Sequence, residues 1–143
     1  RLTMTLQERF NRFYTSLDLD ALDHLPGIYA KQVTFADPVA VHQGLLALDG
    51  YFRKLLAGCT RCEFKIREQE FGTDRAFVNW TMTFTNPRLN GGRAVDVDGS
   101  SVLRIRGERI EFQRDYYDMG AMVYEQLPLL GPIVRYIRGR MAA

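Results

Sequence analysis

Leu6, Phe10, Phe13 and Leu17 recur at the spacing that puts them on one helix face, and Thr5 with Glu8 supplies a capping box ahead of them. This pattern predicts a first helix over residues 4–17. A second helical stretch over 20–30 is interrupted by Pro26-Gly27 and is expected to be bent or split. Val33–Asp37 reads as a short strand closed by Pro38. Behind Gly44, the positions Leu45, Leu48, Phe52, Leu55 and Leu56 form the apolar face of a further helix, with Gly58 as its C-cap. The pattern then changes to that of strands, over 62–71, 76–85, 94–105 and 110–118. Gly72-Thr-Asp74 separates the first pair, Asn90-Gly91-Gly92 is a turn signal of the hairpin kind, and Arg106-Gly-Glu108 joins the last pair. Helices followed by a meander of long antiparallel strands argue an α+β fold with helices on one face of a curved sheet. In residues 124–143, Leu130, Ile133, Val134, Ile137 and Met141 fall on one narrow stripe with Arg135, Arg138 and Arg140 off it, which reads as an amphipathic basic helix extending the domain.

Length and composition narrow the function classes. The 143 residues suit one domain, 1–143, and 46 % hydrophobic against 25 % charged residues is the balance of a folded globular chain. A net charge of +2 is too mild to argue for nucleic acid, and none is expected as a partner. No apolar run approaches the roughly 20 residues of a spanning helix. No signal-peptide pattern opens the chain, which starts at Arg1 rather than Met and so reads as trimmed, and a cytoplasmic location is expected.

Several apparent motifs carry little chemistry. Cys59 and Cys62 lack two further ligands at zinc-finger spacing and a redox βαβ context, so they are expected as reduced thiols, one at a helix end and one entering a strand. Asp96-Val-Asp98-Gly99 lacks the spacing and closing Glu of a calcium loop. Gly91-Gly92 has no P-loop lysine behind it. No metal or cofactor is expected.

Asp115 is the more informative acid. By the period of two it shares a face with Gln113 and Tyr117, opposite Phe112, Arg114 and Tyr116. It suits either a pocket-facing acid or an ion pair with Arg114, Arg104 or Arg106. Asp37 ends a strand before Pro38, where it either works in a site or hydrogen-bonds its own turn. Asp118 is placed to cap the segment after the last strand. Trp80, Phe77, Phe84, Met82, Tyr116 and Tyr117 suit an apolar pocket or plain core, and His42 suits a proton shuttle or a rim position.

Three passages give the layout a family likeness. Ile28-Tyr-Ala-Lys-Gln-Val-Thr-Phe-Ala-Asp-Pro38, His42-Gln-Gly44 ahead of a helix, and Arg114-Asp-Tyr-Tyr-Asp118 resemble passages of the SnoaL-like branch of the NTF2-like superfamily. That group holds polyketide cyclases, ketosteroid isomerases and limonene-epoxide hydrolases. The resemblance covers the chain to about residue 120 and implies a cone between sheet and helices, an interior pocket, and a homodimer.

It also implies roles. Asp37 takes the position of the isomerases' general base, and Asp115 that of the pocket-facing acid of cyclases and epoxide hydrolases. Ser101 stands where isomerases carry an oxyanion-hole acid. Their helix-one tyrosine aligns on Phe13, with Tyr14 next to it. Phe35 stands near the hydrolases' water-positioning tyrosine, and Asn79 and Thr81 near their arginine–aspartate pair. These departures remove the isomerase's two strong donors and the hydrolase's acid–arginine pair. The implied reading is a protein that holds a small apolar metabolite, with Tyr14, Phe35, Asn79, Trp80, Ser101, Gln113 and Tyr117 as ligand-binding residues. Asp115 and Asp37 would supply cofactor-free acid–base chemistry of cyclase, isomerase or hydrolase type. The alternative is a non-catalytic dimeric binding or interaction scaffold. The C-terminal stripe would meet a membrane surface or a partner helix, or else cover the cone's mouth or a dimer mate.

Overall fold

The computed structural model describes residues 3–143; Arg1, and with it the expected trimmed start, lies outside them. Helix α1 (Leu6–Thr15) starts at the capping box: Glu8 N donates to Thr5 Oγ1 at 3.1 Å, and Thr5 N donates to Glu8 Oε1 at 2.8 Å. It buries Leu6, Phe10, Phe13 and also Tyr14, one turn on from Phe10. The stretch after α1 is not split. It winds as one 3₁₀ helix over Asp20–Gly27 with Pro26 inside, nucleated by Asp18 Oδ1 accepting from Ala21 N at 2.8 Å.

Strand β1 (Tyr29–Ala36) starts four residues before the expected Val33, because it opens against a distant strand. Tyr29 and Thr34 pair in parallel with Ile110 and Phe112 of β6 (Arg109–Tyr117), across a bulge that leaves Lys31 and Gln32 exposed. That bulge hides the alternation. The three-residue edge strand β2 (Val41–Gln43) is too short to leave a pattern. Gly44 precedes α2 (Leu45–Gly58) at φ +88°, a conformation suited to glycine, and its N–H donates to Val33 O at 2.7 Å. Gly58 is not the cap: it stays helical, and Cys59, in extended conformation, ends the helix.

The remaining strands, β3 (Arg61–Phe71), β4 (Arg75–Thr85), β5 (Val95–Arg106) and β6, lie within one residue of expectation and run antiparallel. The sheet order is β2-β1-β6-β5-β4-β3. Asn90-Gly91-Gly92 is not a two-residue hairpin. It forms a short 3₁₀ turn inside the longer 86–94 connection, with all three residues at positive φ. The tight turn is Gly107-Glu108, at φ +56° and +59°, the paired positive angles that match strand twist. Asp96 and Asp98 accept from Thr83 and Thr81 across the outer face of the sheet, which accounts for the Asp-Val-Asp pattern.

The core lies between the inner face of the sheet and α1, the 3₁₀ helix and α2. This is the α+β cone expected. Beyond β6, Asp118 caps α3 (Met119–Met122) by accepting from Gly120 N at 2.8 Å, a turn over Tyr124–Gln126 comes next, and α4 (Leu130–Ala142) ends the chain. The apolar stripe of α4 does not cover the cone's mouth; it is exposed. Among the described residues, no helix is long and apolar enough to cross a membrane.

Candidate functional site

Asp115 stands on the inner face of β6, between Gln113 and Tyr117, as period two requires. Ser101 on β5 is its direct cross-strand partner, and Ser101 Oγ donates to Asp115 Oδ1 at 2.6 Å. Gln113 Nε2 donates to the same oxygen at 2.9 Å. Each donor is itself held. Trp80 Nε1 donates to Ser101 Oγ at 2.9 Å, and Tyr29 Oη donates to Gln113 Oε1 at 2.7 Å. With its own proton committed to Gln113, the Tyr29 hydroxyl accepts from Tyr14 Oη at 2.6 Å. The whole chain of hydrogen bonds therefore points its donors toward one carboxylate oxygen.

No described residue donates to the other oxygen, Oδ2. No described arginine pairs with Asp115 either, and the ion pair with Arg114, Arg104 or Arg106 does not occur. Burial disfavours the charged carboxylate and pushes Asp115 up to about 6. The bonds from Ser101 and Gln113 oppose that rise, and the nearby charge of Asp37 adds to it.

Two small adjoining cavities of about 10 and 20 Å³ flank the carboxyl group, each with room for about one water. Both are walled by Tyr14, Phe64, Trp80 and Asp115. Ser101 and Gln113 complete the first, while Phe35, Tyr51, Tyr117 and Met122 belong to the second. The rings form a collar with edge-on neighbours: Tyr14–Phe64 at 5.4 Å, Phe64–Trp80 at 5.5 Å and Tyr51–Phe52 at 5.2 Å between centroids. Trp80 fits because position 99 is glycine. A Cβ there would stand 2.2 Å from the indole, so the ring lies directly across β5. Wider surface grooves of 520, 660 and 790 Å³ are also present; the 660 Å³ groove shares Trp80 and Tyr117 with the site, and neither Asp115 nor Asp37 lines any of the three.

Six of the seven expected ligand residues line the cavities: Tyr14, Phe35, Trp80, Ser101, Gln113 and Tyr117. Asn79 does not. It stands on the outer face of the sheet, donates to Glu68 Oε1 at 2.9 Å and accepts from Ser100 Oγ. Being adjacent to Trp80 on a strand puts it on the opposite face. Asp37 is buried but engaged in its own turn, with Oδ1 accepting from Val39 N and Ala40 N at 2.8 and 2.9 Å, and it lines neither cavity. Phe77 and Tyr116 are half exposed on the outer face, Phe84 is core, and His42 stacks on Tyr51 at 4.7 Å from its place on β2.

Tyr51 and Phe64 line the site without having been expected there. Both carry a signal: Tyr51 lies three residues after Leu48 on the apolar side of α2, and Phe64 alternates with Cys62 and Ile66. The hydroxyls of Tyr51 and Tyr117 bond to no other described residue. Burial and the charges of Asp115 and Asp37 raise both, so they stand as neutral donors. Among the described residues, no group of three or more His, Cys, Asp or Glu is arranged to hold a metal ion. Cys59 and Cys62 are both free thiols, raised by burial.

A family model for the SnoaL-like domain matches residues 8–112, which carry α1 and most of the sheet including Ser101. The chain belongs to the SnoaL-like family. No curated protein matches it in sequence. Among solved structures, this SnoaL-like chain is similar to a hypothetical protein with a ketosteroid isomerase-like fold from Catenulispora acidiphila, in complex with trimethylamine. The two share 21 % identity over 89 % of this chain and 96 % of that one, with a TM-score of 0.72. It is similar also to an NTF2-like protein of unknown function from Burkholderia pseudomallei (16 % identity, 84 % and 95 % covered, TM-score 0.71). A SnoaL-like polyketide cyclase from Agrobacterium tumefaciens gives 16 % identity, 84 % and 96 % covered, and a TM-score of 0.70. At these identities the likeness is one of fold, and the SnoaL-like fold hosts several chemistries in one cone.

Proposed function

We propose that this SnoaL-like domain takes a small, mostly apolar metabolite into the cone and exchanges a proton with it through Asp115. The observation that carries this reading is the asymmetry of the carboxyl group: two donors fix Oδ1, while Oδ2 has none and the acid titrates near neutrality. A base of this kind accepts the proton of a carbon acid next to a carbonyl. The C–H electrons move to the carbonyl oxygen, the proton rests on Asp115, and it returns to a second carbon. Tyr51 and Tyr117 are the neutral hydroxyls within the same cavity that can donate to the developing oxyanion. Asp37 acts through its charge, raising Asp115, and does not itself touch the ligand. Admission of a ligand larger than water requires side chains to move, and Met122 and Leu55, flexible aliphatic wall residues, are the cheapest.

A second reading, a non-catalytic dimeric binding module, is favoured by how completely the aromatic collar fills the cone. Half-exposed Phe77 and Tyr116 on the outer face of the sheet would then meet a second copy. A thermal-shift panel of ketones, polyketide fragments, terpenoid epoxides and fatty acyl compounds separates the two, run on wild type and Asp115→Asn. A compound at 100 times its dissociation constant stabilises by about 2.7 kcal/mol. The catalytic reading expects such a compound to exchange a carbon-bound hydrogen with D₂O in wild type and not in Asp115→Asn. Binding without exchange in either protein supports the module.

A further inference from the structure

Helix α4 is docked the wrong way round for a helix that serves only its own domain. Its arginine side faces the body. Arg138 donates to Glu125 Oε1 at 2.8 Å and to Asp118 Oδ2 at 3.2 Å, and Arg135 donates to Glu125 O at 2.7 Å. Gly131 lets the first turn close onto the Glu125 backbone, since a Cβ there would stand 2.4 Å from the Glu125 carbonyl oxygen. These three attachments fix the helix with its apolar side outward. Ile133, Tyr136, Ile137 and Met141 are 55, 67, 53 and 82 % exposed, and Leu129, just ahead of the helix, is exposed beside them.

Charge is segregated to the same place. Residues 127–143 contain three arginines and no acid, so the rest of the chain carries sixteen Lys and Arg against all seventeen Asp and Glu. The positive surplus of the protein thus lies on α4. Arg140 borders the apolar stripe, between Ile133 and Tyr136 on the helical wheel, with no acid in residues 127–143 to meet it. Two such helices packed together would bring like charges along the edge of an apolar seam.

We propose that α4 is a membrane-surface anchor that lies on anionic lipid, with Leu129, Ile133, Ile137 and Met141 in the acyl boundary and Tyr136 and Arg140 at the headgroups. An interfacial helix needs an apolar face, basic charge free to meet headgroups and a fixed orientation. On α4 that charge is Arg140, which meets no described acid, while Arg138 is paired with Glu125 and Asp118 and Arg135 bonds the Glu125 carbonyl. Lipid headgroups supply the negative charge that the helix lacks, and Arg140 reaches them by snorkelling. The surface is independent of what Asp115 does.

The test is vesicle sedimentation of the full chain with phosphatidylcholine alone and with phosphatidylcholine–phosphatidylglycerol mixtures. Wild type is expected to sediment with the anionic vesicles, to be released by raised salt, and to ignore phosphatidylcholine. Ile133→Asp and Ile137→Asp each lower retention tenfold or more. Arg140→Ala lowers it about fivefold, the effect of about 1 kcal/mol per arginine at the surface. All three residues are solvent-exposed, and unchanged circular dichroism establishes that the variants fold. Wild type that stays in the supernatant overturns the proposal, as does equal retention by both vesicle types. A dimer by light scattering that Ile133→Asp converts to monomer, with vesicle retention unchanged, overturns it in favour of a second copy of the chain.

Discussion

Ser101 and Asp115 face each other directly across β5 and β6, and the serine hydroxyl holds one carboxylate oxygen at 2.6 Å while itself accepting from Trp80. This pair sets both the charge and the orientation of the acid. Replacing Ser101 by Ala removes a donor that favours the charged carboxylate, so Asp115 is expected to titrate above 6. It also leaves the buried Trp80 N–H without its acceptor, a loss of about 1–3 kcal/mol. Carboxyl-carbon NMR titration and urea unfolding of Ser101→Ala read the two effects separately.

The pH dependence of stability is set by the direction of the Asp115 shift. Its value in the folded protein, about 6, lies above the ordinary 3.8, so the folded state holds the proton more tightly than the unfolded chain. The stability this contributes is fully present below about pH 3.8 and is lost as pH rises through 6. Asp115→Asn keeps an acceptor for both donors and never charges. It is expected to match wild type near pH 4 and to exceed it at pH 8, by on the order of 2 kcal/mol. Unfolding midpoints across that range check the convergence.

Gly99 is the position on which the aromatic wall depends. Gly99→Ala places a methyl into the indole of Trp80 and is expected to cost about 1–3 kcal/mol as overpacking. Trp80 is the one tryptophan of the chain, so its emission reports the site without interference. A red-shifted spectrum together with a lowered unfolding midpoint is the expected result.

Asp37 separates charge from contact. Asp37→Asn keeps the acceptor that serves Val39 and Ala40 but removes the charge that raises Asp115, whose titration is expected to move down. Activity found for the domain should then persist with a shifted pH profile. Complete loss at every pH would show that Asp37 touches the substrate.

Most of the fold is legible in the sequence because its elements are long and regular. The strands from Arg61 to Tyr117 alternate over most of their length, with slips near Ile66 and Arg104, and the capping box at Thr5 fixes the start of α1. The hidden parts depend on contacts far apart in sequence. The parallel pairing of Tyr29 with Ile110 extends β1 through a bulge, and no local pattern carries that information. The same holds for the site. Period two puts Asp115, Gln113 and Tyr117 on one face, while the links from Tyr29 and Trp80 require the folded register. Asn79 is misplaced by likeness to a family position, where strand parity alone points it outward.

The central claim is that Asp115 is a buried acid poised near neutrality. Its most direct test is a ¹³C NMR titration of the aspartate carboxyl carbons, with Asp115→Asn assigning the signal. A midpoint close to 6 is expected for that carboxyl. A midpoint in the ordinary range near 4 would contradict the claim, since the carboxylate would then be hydrated and too weak a base to hold a proton taken from carbon near neutral pH.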